Sequence, residues 1–528
     1  VRAAAAPAAA LLVAALLAAS ALAAPLPLEC HLEARAEKVL KSCSSPVVSQ
    51  DLDLRSAGLV GISPGAFNGV TVRDLKLDSN LLVEIQAGTF SGLRVTGQLS
   101  LNSLAQLTRV ASGAFHNCSA ALFYLTATGL ATIQPNAFEG LTVAAPLNLA
   151  QNKIEFVPSL AFRGVVAKGI YLDDQAPPLT TIEQGAFDGA TITAGGKLSL
   201  NHASLTTLQP GAFAGMSADA LLIGQTTLRR IDEGAFSWEH SVTTIGDLTI
   251  SGNAQLTEVS LKQMHFKSVT IQHNALATIK SHSFEQLTTT GDVVVDEPLL
   301  TVIESNAFYS ATIGGKLSFP AAAKLSSIQS RALHHATITG DVVVTDSLAL
   351  VTVGGEAFAG ATVGGSLRLD GGQIAQVQQA AFKETVITGS LSLANNKIAE
   401  GEGGLAADAF SVLRAHGGLD LSNNHAMRTI GGAAFTGSEF SGVVRLPVAT
   451  TYLLWSLVSN THAFKPGTRV DAPGMLGAVC DEAGRAHMTW LGNATVCAEC
   501  PPGSYCPSGD SARPAHAAAV PCPDGTGM

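Results

Sequence analysis

Asp173 and Asp174 are neighbouring carboxylates, and a carboxylate pair is what an acid–base glycoside hydrolase uses. No companion His or Arg motif follows them, so the sequence favours solvated loop residues over an acid and base pair. His334 and His335 are neighbouring imidazoles, but they stand alone near a turn without the further ligands a metal centre needs. Cys497-x-x-Cys500 with Cys506 and Cys522 offers the four thiolates of a zinc site. In a secreted chain the same sulfurs oxidise to disulfides instead. No Gly-x-Ser-x-Gly elbow, Gly-rich phosphate loop or His-Glu-x-x-His stands in a matching context. Neither catalysis nor a metal or cofactor is expected. What remains is recognition, and the residues best suited to it are Tyr124, Asn148, Tyr171 and Asp173, since aromatic anchors dominate interfaces.

The surrounding composition fits a packed, ordered chain. Of 528 residues 31 are basic and 41 acidic, a net charge of −10, which argues against a nucleic-acid partner. Hydrophobic residues reach 47% and aromatics only 5%, so the core must be aliphatic with a few recurring large fillers. An apolar stretch from Ala3 to Ala24 ends near Ala21-Leu22-Ala23, the pattern a signal peptidase accepts, so residues 1–23 read as a secretory signal. The next longest apolar run, Leu446 to Val458, contains Pro447 and is too short to span a bilayer. The competing reading of the Ala3 to Ala24 stretch is an uncleaved anchor helix, and membrane attachment is also possible through sequence beyond Met528.

The elements that hold the candidate residues come from a repeat. Ala-Phe dipeptides align a large apolar residue in 16 slots from Phe67 to Phe435, at a mean spacing of about 24.5 residues, with Met264 and Leu333 standing in for Phe. The residue five before each slot is aliphatic every time, from Ile62 and Ile85 through Val259 to Ile430. Between slots lies a short alternating run such as Leu75-Lys76-Leu77, Leu147-Asn148-Leu149 or Leu419-Asp420-Leu421, which predicts one parallel strand per repeat. Gly-Ala-Phe-x-Gly supplies the return, expected as a short helical or 3₁₀ turn.

Leu75-Lys76-Leu77-Asp78-Ser79-Asn80, Leu147 to Asn152, Leu391 to Asn396 and Leu419 to Asn424 share Leu-x-Leu-x-x-Asn, and in this the chain resembles the leucine-rich repeat family over Leu52 to Phe440. The resemblance implies an α/β repeat solenoid with a curved parallel β-sheet, whose concave face recognises other molecules. A parallel β-helix is the competing fold and would need several strands per coil. The Asn column departs from the pattern at Leu104, Thr128, Gln175, Ala203, Pro298 and Gly372, which passes its backbone hydrogen bonding to other groups or to water.

The expected layout is a signal peptide (1–23), a cysteine-flanked cap (24–51), the solenoid (52–440), a second cap (441–496) and a partial cysteine module (497–528). Cys30 with Cys43 and Cys480 with Cys497 suggest stapled caps, although spacing does not fix connectivity. Cys118 reads as a small core residue. The run from Cys497 through Cys500, Tyr505 and Cys506 to Cys522 resembles ephrin-receptor-like cysteine-rich modules, in which Cys500 would bond Cys506 or Cys522. Sequons stand at Asn117 and Asn493. Together these predict a secreted or cell-surface recognition module for an extracellular protein or glycan, such as a receptor or adhesion ectodomain. The competing readings are a matrix or wall protein and a polysaccharide-active enzyme on a β-helix.

Overall fold

The computed structural model describes residues 29–34, 38–44, 50–237, 243–320, 322–344, 347–399, 403–427, 430 and 434–447, with strand backbones at 469–471, 487–491, 494–498, 504–505 and 520–521. The signal sequence, Cys480, Cys500, Cys506, Cys522 and Asn493 lie outside the described residues, as does the side chain of Cys497. The chain divides into two units, Val1–Leu256 and Thr257–Met528.

In the first unit the repeat folds as a stack of parallel coils. Each leucine of Leu-x-Leu points inward because successive side chains alternate across a strand, so Leu75 and Leu77 are buried while Lys76 between them is partly exposed. One ladder joins Lys76, Ser100, Tyr124, Asn148, Tyr171 and Ser199 at the middle position, coil after coil. A second ladder follows the Phe turn, through Thr71, Arg94, Ser119, Thr142, Val166 and Thr191. A third carries the aliphatic column, as in Ile85, Val110 and Ile133. The expectation of one strand per coil is therefore corrected to three. Two of the three are commonly two residues long, too short for an alternating pattern to show in sequence.

The Phe slots form a column. Phe67, Phe90, Phe115, Phe138 and Phe162 stack face to face, with centroids 5.1 to 5.4 Å apart at interplanar angles of 4° to 11°. The column continues through Phe187, Phe213 and Phe236 at 5.3 to 6.1 Å. Stacked rings contribute about 0.5–1.5 kcal/mol per pair beyond their burial. The return around each ring is a run of hydrogen-bonded turns, for example Asn68 N–H to Gly65 O and Val70 N–H to Phe67 O. Residues on either side of the ring adopt left-handed φ, as at Gly65 (71°) and Gly69 (70°). That conformation interrupts any right-handed helix. The expected helical turns are corrected accordingly: among the described residues the one helix is the 3₁₀ segment Glu233–Ala235.

Ahead of the first coil, Glu29–Ala34 and Lys38–Ser44 form an antiparallel pair in which Cys30 faces Cys43, and the two are joined by a disulfide. Lys38–Ser44 also runs parallel to Leu59–Ile62, which ties the pair to the stack.

The second unit repeats the same coil. Its middle row runs Val294, Ser318, Val343, Arg368, Ser392, Asp420 and Arg445. Its rings stack as Phe284 with Phe308 (4.8 Å) and as Phe358, Phe382, Phe410 and Phe435 (5.0 to 5.4 Å), with Leu333 buried between the two groups. Met264 is not the slot residue that the dipeptide alignment implies. The turn bond that elsewhere runs from slot plus three to the slot, as from Leu287 N–H to Phe284 O, here runs from Met264 N–H to Leu261 O. Leu261 is fully buried, and Met264 sits three residues past it and half-exposed. This coil is three residues shorter between its aliphatic strand (Glu258–Val259) and its slot, so the Gly-Ala landmark is missing.

Candidate recognition surface

Leucines committed to the core leave the intervening residue of each strand facing outward, which fixes the candidate patch. The register pairs Tyr124 with Asn148 and Asn148 with Tyr171, so the three stand side by side on adjacent strands. All three are partly exposed. At the spacing of neighbouring strands the two tyrosines are about 10 Å apart. Tyr171 has a cation over its ring, Lys197 Nζ at 5.7 Å from the centroid. That is within cation–π range. Gly169, two residues before Tyr171 on the same face, leaves room for the ring, since a Cβ there would come within 3.2 Å of Tyr171 Cε1. Lys197 carries no signal in the sequence, because its link to Tyr171 depends on the register of the next coil, whereas Gly169 shares a strand with Tyr171.

Asp173 borders this row and acts as a clamp between coils. Its Oδ1 accepts from Ser199 Oγ at 2.7 Å and from the Asn201 N–H at 2.8 Å. Asp78 does the same for Ser100 and the Asn102 N–H. Asp174 turns to His202 Nδ1 at 2.9 Å. The neighbouring carboxylates are thus engaged in separate contacts, unlike an acid and base pair aimed at one substrate.

Behind the face, the Asn column is a buried hydrogen-bond ladder. Asn80 Oδ1 accepts from Leu59 N–H, and its amide donates to Leu54 O and Leu77 O. Asn152, Asn396 and Asn424 repeat this arrangement. Where Asn is replaced, the bonding is rebuilt with other side chains. Gln175 accepts from Ile154 N–H and donates to Leu149 O, and Thr128 takes an N–H from Leu130 while donating to Asn152. At the Pro298 position the group comes from one residue earlier: Glu297, fully buried, accepts from the backbone and side-chain amides of Asn274. Burial pushes the Glu297 carboxyl above its ordinary 4.5, against the pull of the Asn274 bonds.

The remaining candidates fall elsewhere. His334 and His335 occupy a turn of the second unit with ring centroids 4.1 Å apart, beside Tyr309 at 5.7 Å from His334. Burial and then its neighbour His335 hold His334 below the usual imidazole range. Among the described residues no group of three or more His, Cys, Asp or Glu is placed to hold a metal ion, and no helix is long and apolar enough to cross a membrane. Cys118 is fully buried, and burial pushes its thiol up to about 12. Asn117 beside it is exposed in a left-handed turn (φ 51°), so the sequon amide and the core thiol face opposite ways.

Comparison with known proteins adds a family. The model of the BspA-type leucine-rich repeat region matches residues 60–193, 174–286 and 254–388, in six copies. No curated protein matches the chain. A solved structure described as a crystal structure of a TLR13–ssRNA13 complex is 14% identical, covers 80% of this chain and 84% of that one, and has a TM-score of 0.20. Agreement that loose carries no inference about the ligand of this chain.

Proposed function

Because the chain belongs to the BspA-type leucine-rich repeat family, we propose that it is an extracellular recognition protein that binds a protein partner through the Leu-x-Leu face of its first unit. The observation that carries this reading is the row Tyr124, Asn148, Tyr171 on consecutive strands, with Lys197 beside it and Asp173 at its border. Two amphipathic rings on a rigid sheet lose little conformational freedom on binding, and the amide between them supplies both donor and acceptor. A sheet of this kind offers a broad, rigid surface, which supports binding to another macromolecule. The extracellular setting draws support from the signal-like stretch before Ala24 and from the Cys30–Cys43 disulfide, a bond of oxidising compartments. A receptor or adhesion role is the specific form we favour, with no nucleic-acid partner given the net charge of −10.

The test is a screen of the secreted chain against an array of extracellular proteins, repeated with Tyr124→Ala plus Tyr171→Ala. A true partner should lose roughly 30-fold or more in affinity, as for removal of interface hot spots. Thermal unfolding of the double variant should stay within a few degrees of the parent. A partner that binds the double variant as tightly as the parent removes the tyrosine row from the interface.

A further inference from the structure

We propose that the Leu-x-Leu face of the second unit holds a site for a neutral pyranose, a single sugar residue of a glycan, between Arg368, Asp370, Asp420 and Arg445. The site is distinct from the tyrosine row and does not depend on the protein-binding reading.

The register places Arg368, Ser392, Asp420 and Arg445 on consecutive strands in one row. Asp370, two residues after Arg368, shares its face. Around them lies a cavity of about 250 Å³, lined by these side chains and by the backbone of Gly417 and Gly418. Gly418 in its lining has φ +98°, and a Cβ there would run into Val443 O of the adjacent strand, so only glycine fits at this position.

Two of these groups are short of partners. Asp78 and Asp173 occupy the same place in their coils as Asp370, directly after the second leucine, and each accepts a serine hydroxyl and an N–H from the next coil. Asp370 has Ser392 in the next coil, yet its Oδ1 finds no hydrogen-bond donor among the described residues and is closed off from solvent, so a ligand reaches that oxygen only once the side chain turns toward the cavity. Arg368 is exposed, and no hydrogen bond or ion pair of its guanidinium is found among the described residues. Arg445 reaches Asp420 only loosely, Nη1 to Oδ2 at 3.8 Å.

A ligand that settles this cavity must donate to a carboxylate and accept from a guanidinium within a few ångströms. A cation would meet Arg368 and Arg445, and an anion would meet Asp370 and Asp420. Hydroxyl groups donate and accept at once, and vicinal hydroxyls match the planar two-point geometry of both side chains. The volume falls below the roughly 300 Å³ at which pockets for drug-sized molecules begin, so it suits one ring better than a peptide segment.

Saturation-transfer NMR on the full chain would use methyl α-mannopyranoside, methyl β-glucopyranoside and methyl β-galactopyranoside, with N-acetylneuraminic acid and glucosamine as charged comparators. The expected result is transfer to at least one neutral glycoside, with affinity reduced about tenfold or more by Arg368→Ala and by Asp370→Asn. Tyr124→Ala with Tyr171→Ala should leave that binding unchanged. Asp370→Asn preserves the side-chain volume, and an unchanged unfolding midpoint shows that the coil is intact. Transfer to no neutral glycoside, transfer only to the charged sugars, or binding indifferent to both variants overturns the site. Sugar binding lost only on replacing the tyrosines also overturns it, whereas failure of the protein screen leaves it standing.

Discussion

Gln175 in the first unit and Glu297 in the second reach into the same inner corner of their coils, and both are buried acceptors for N–H groups of the preceding coil. They differ by one group, an amide against a carboxyl. The amide also donates, to Leu149 O and Leu172 O, whereas an ionised carboxylate only accepts. Burial therefore costs Gln175 little and raises the Glu297 carboxyl. A repeat can thus keep its coil while individual positions give up stability.

Two further contrasts run the same way. The first unit stacks an unbroken ring column from Phe67 to Phe236, while the second fills two slots with Leu261 and Leu333. Around its rings the first unit largely places glycine in left-handed conformation, at Gly65, Gly69, Gly88, Gly92, Gly185, Gly189, Gly211 and Gly215. The second uses His282, Asn306, Arg331, His335, Ala380, Glu384 and Asp408 at such positions. A non-glycine there costs about 1 kcal/mol, and less for Asn306 and Asp408, whose short polar side chains suit this conformation.

The largest effect should come from the ring column. Phe162→Ala in the first unit is expected to cost about 3–5 kcal/mol, and Leu333→Ala in the second about 2–4, both read by denaturant unfolding. An equal or larger loss at Leu333 would mean that the unbroken column contributes nothing beyond side-chain burial. Next is Glu297→Gln, expected to stabilise by about 1–3 kcal/mol at neutral pH. The folded carboxyl lies above 4.5, so below that value both states hold the proton and the gain disappears. As pH rises past 4.5 the unfolded chain ionises first and the parent loses stability until the folded group ionises too. A gain that persists undiminished at acid pH would mean that charge is not the cause. The reverse change, Gln175→Glu, should destabilise at neutral pH by a similar amount. The smallest effect is in the turns. Gly92→Ala should cost about 1 kcal/mol from backbone alone, since nothing lies within 4 Å of the new Cβ, and Ala380→Gly should gain up to about 1. If neither moves the midpoint, the left-handed contrast between the units is energetically silent.

How much of this is legible in the sequence follows from what each feature depends on. The Phe column and the Leu-x-Leu strand repeat whole side chains at fixed spacing, so Tyr124, Asn148 and Tyr171 align from that spacing alone. Leu261 escapes because its shortened coil lacks the Gly-Ala dipeptide that sets the register, and Met264 takes its place by position alone. Glu297 escapes because counting three residues past the strand lands on Pro298. Two-residue strands carry no period, and left-handed φ at Arg331 or Ala380 leaves no mark in residue type. The open cluster at Arg368 and Asp370 is unreadable for another reason: Asp78, Asp173 and Asp370 look alike in sequence, and only the geometry of the next coil decides which of them is satisfied.

Cys118 gives the chain an internal clock. A thiol that is fully buried and shifted to about 12 is almost wholly protonated and shielded, so alkylating reagents reach it only when its coil separates from its neighbours. Its labelling rate under native conditions would report how often the stack breathes near Phe115, a motion that a melting curve averages over the whole chain.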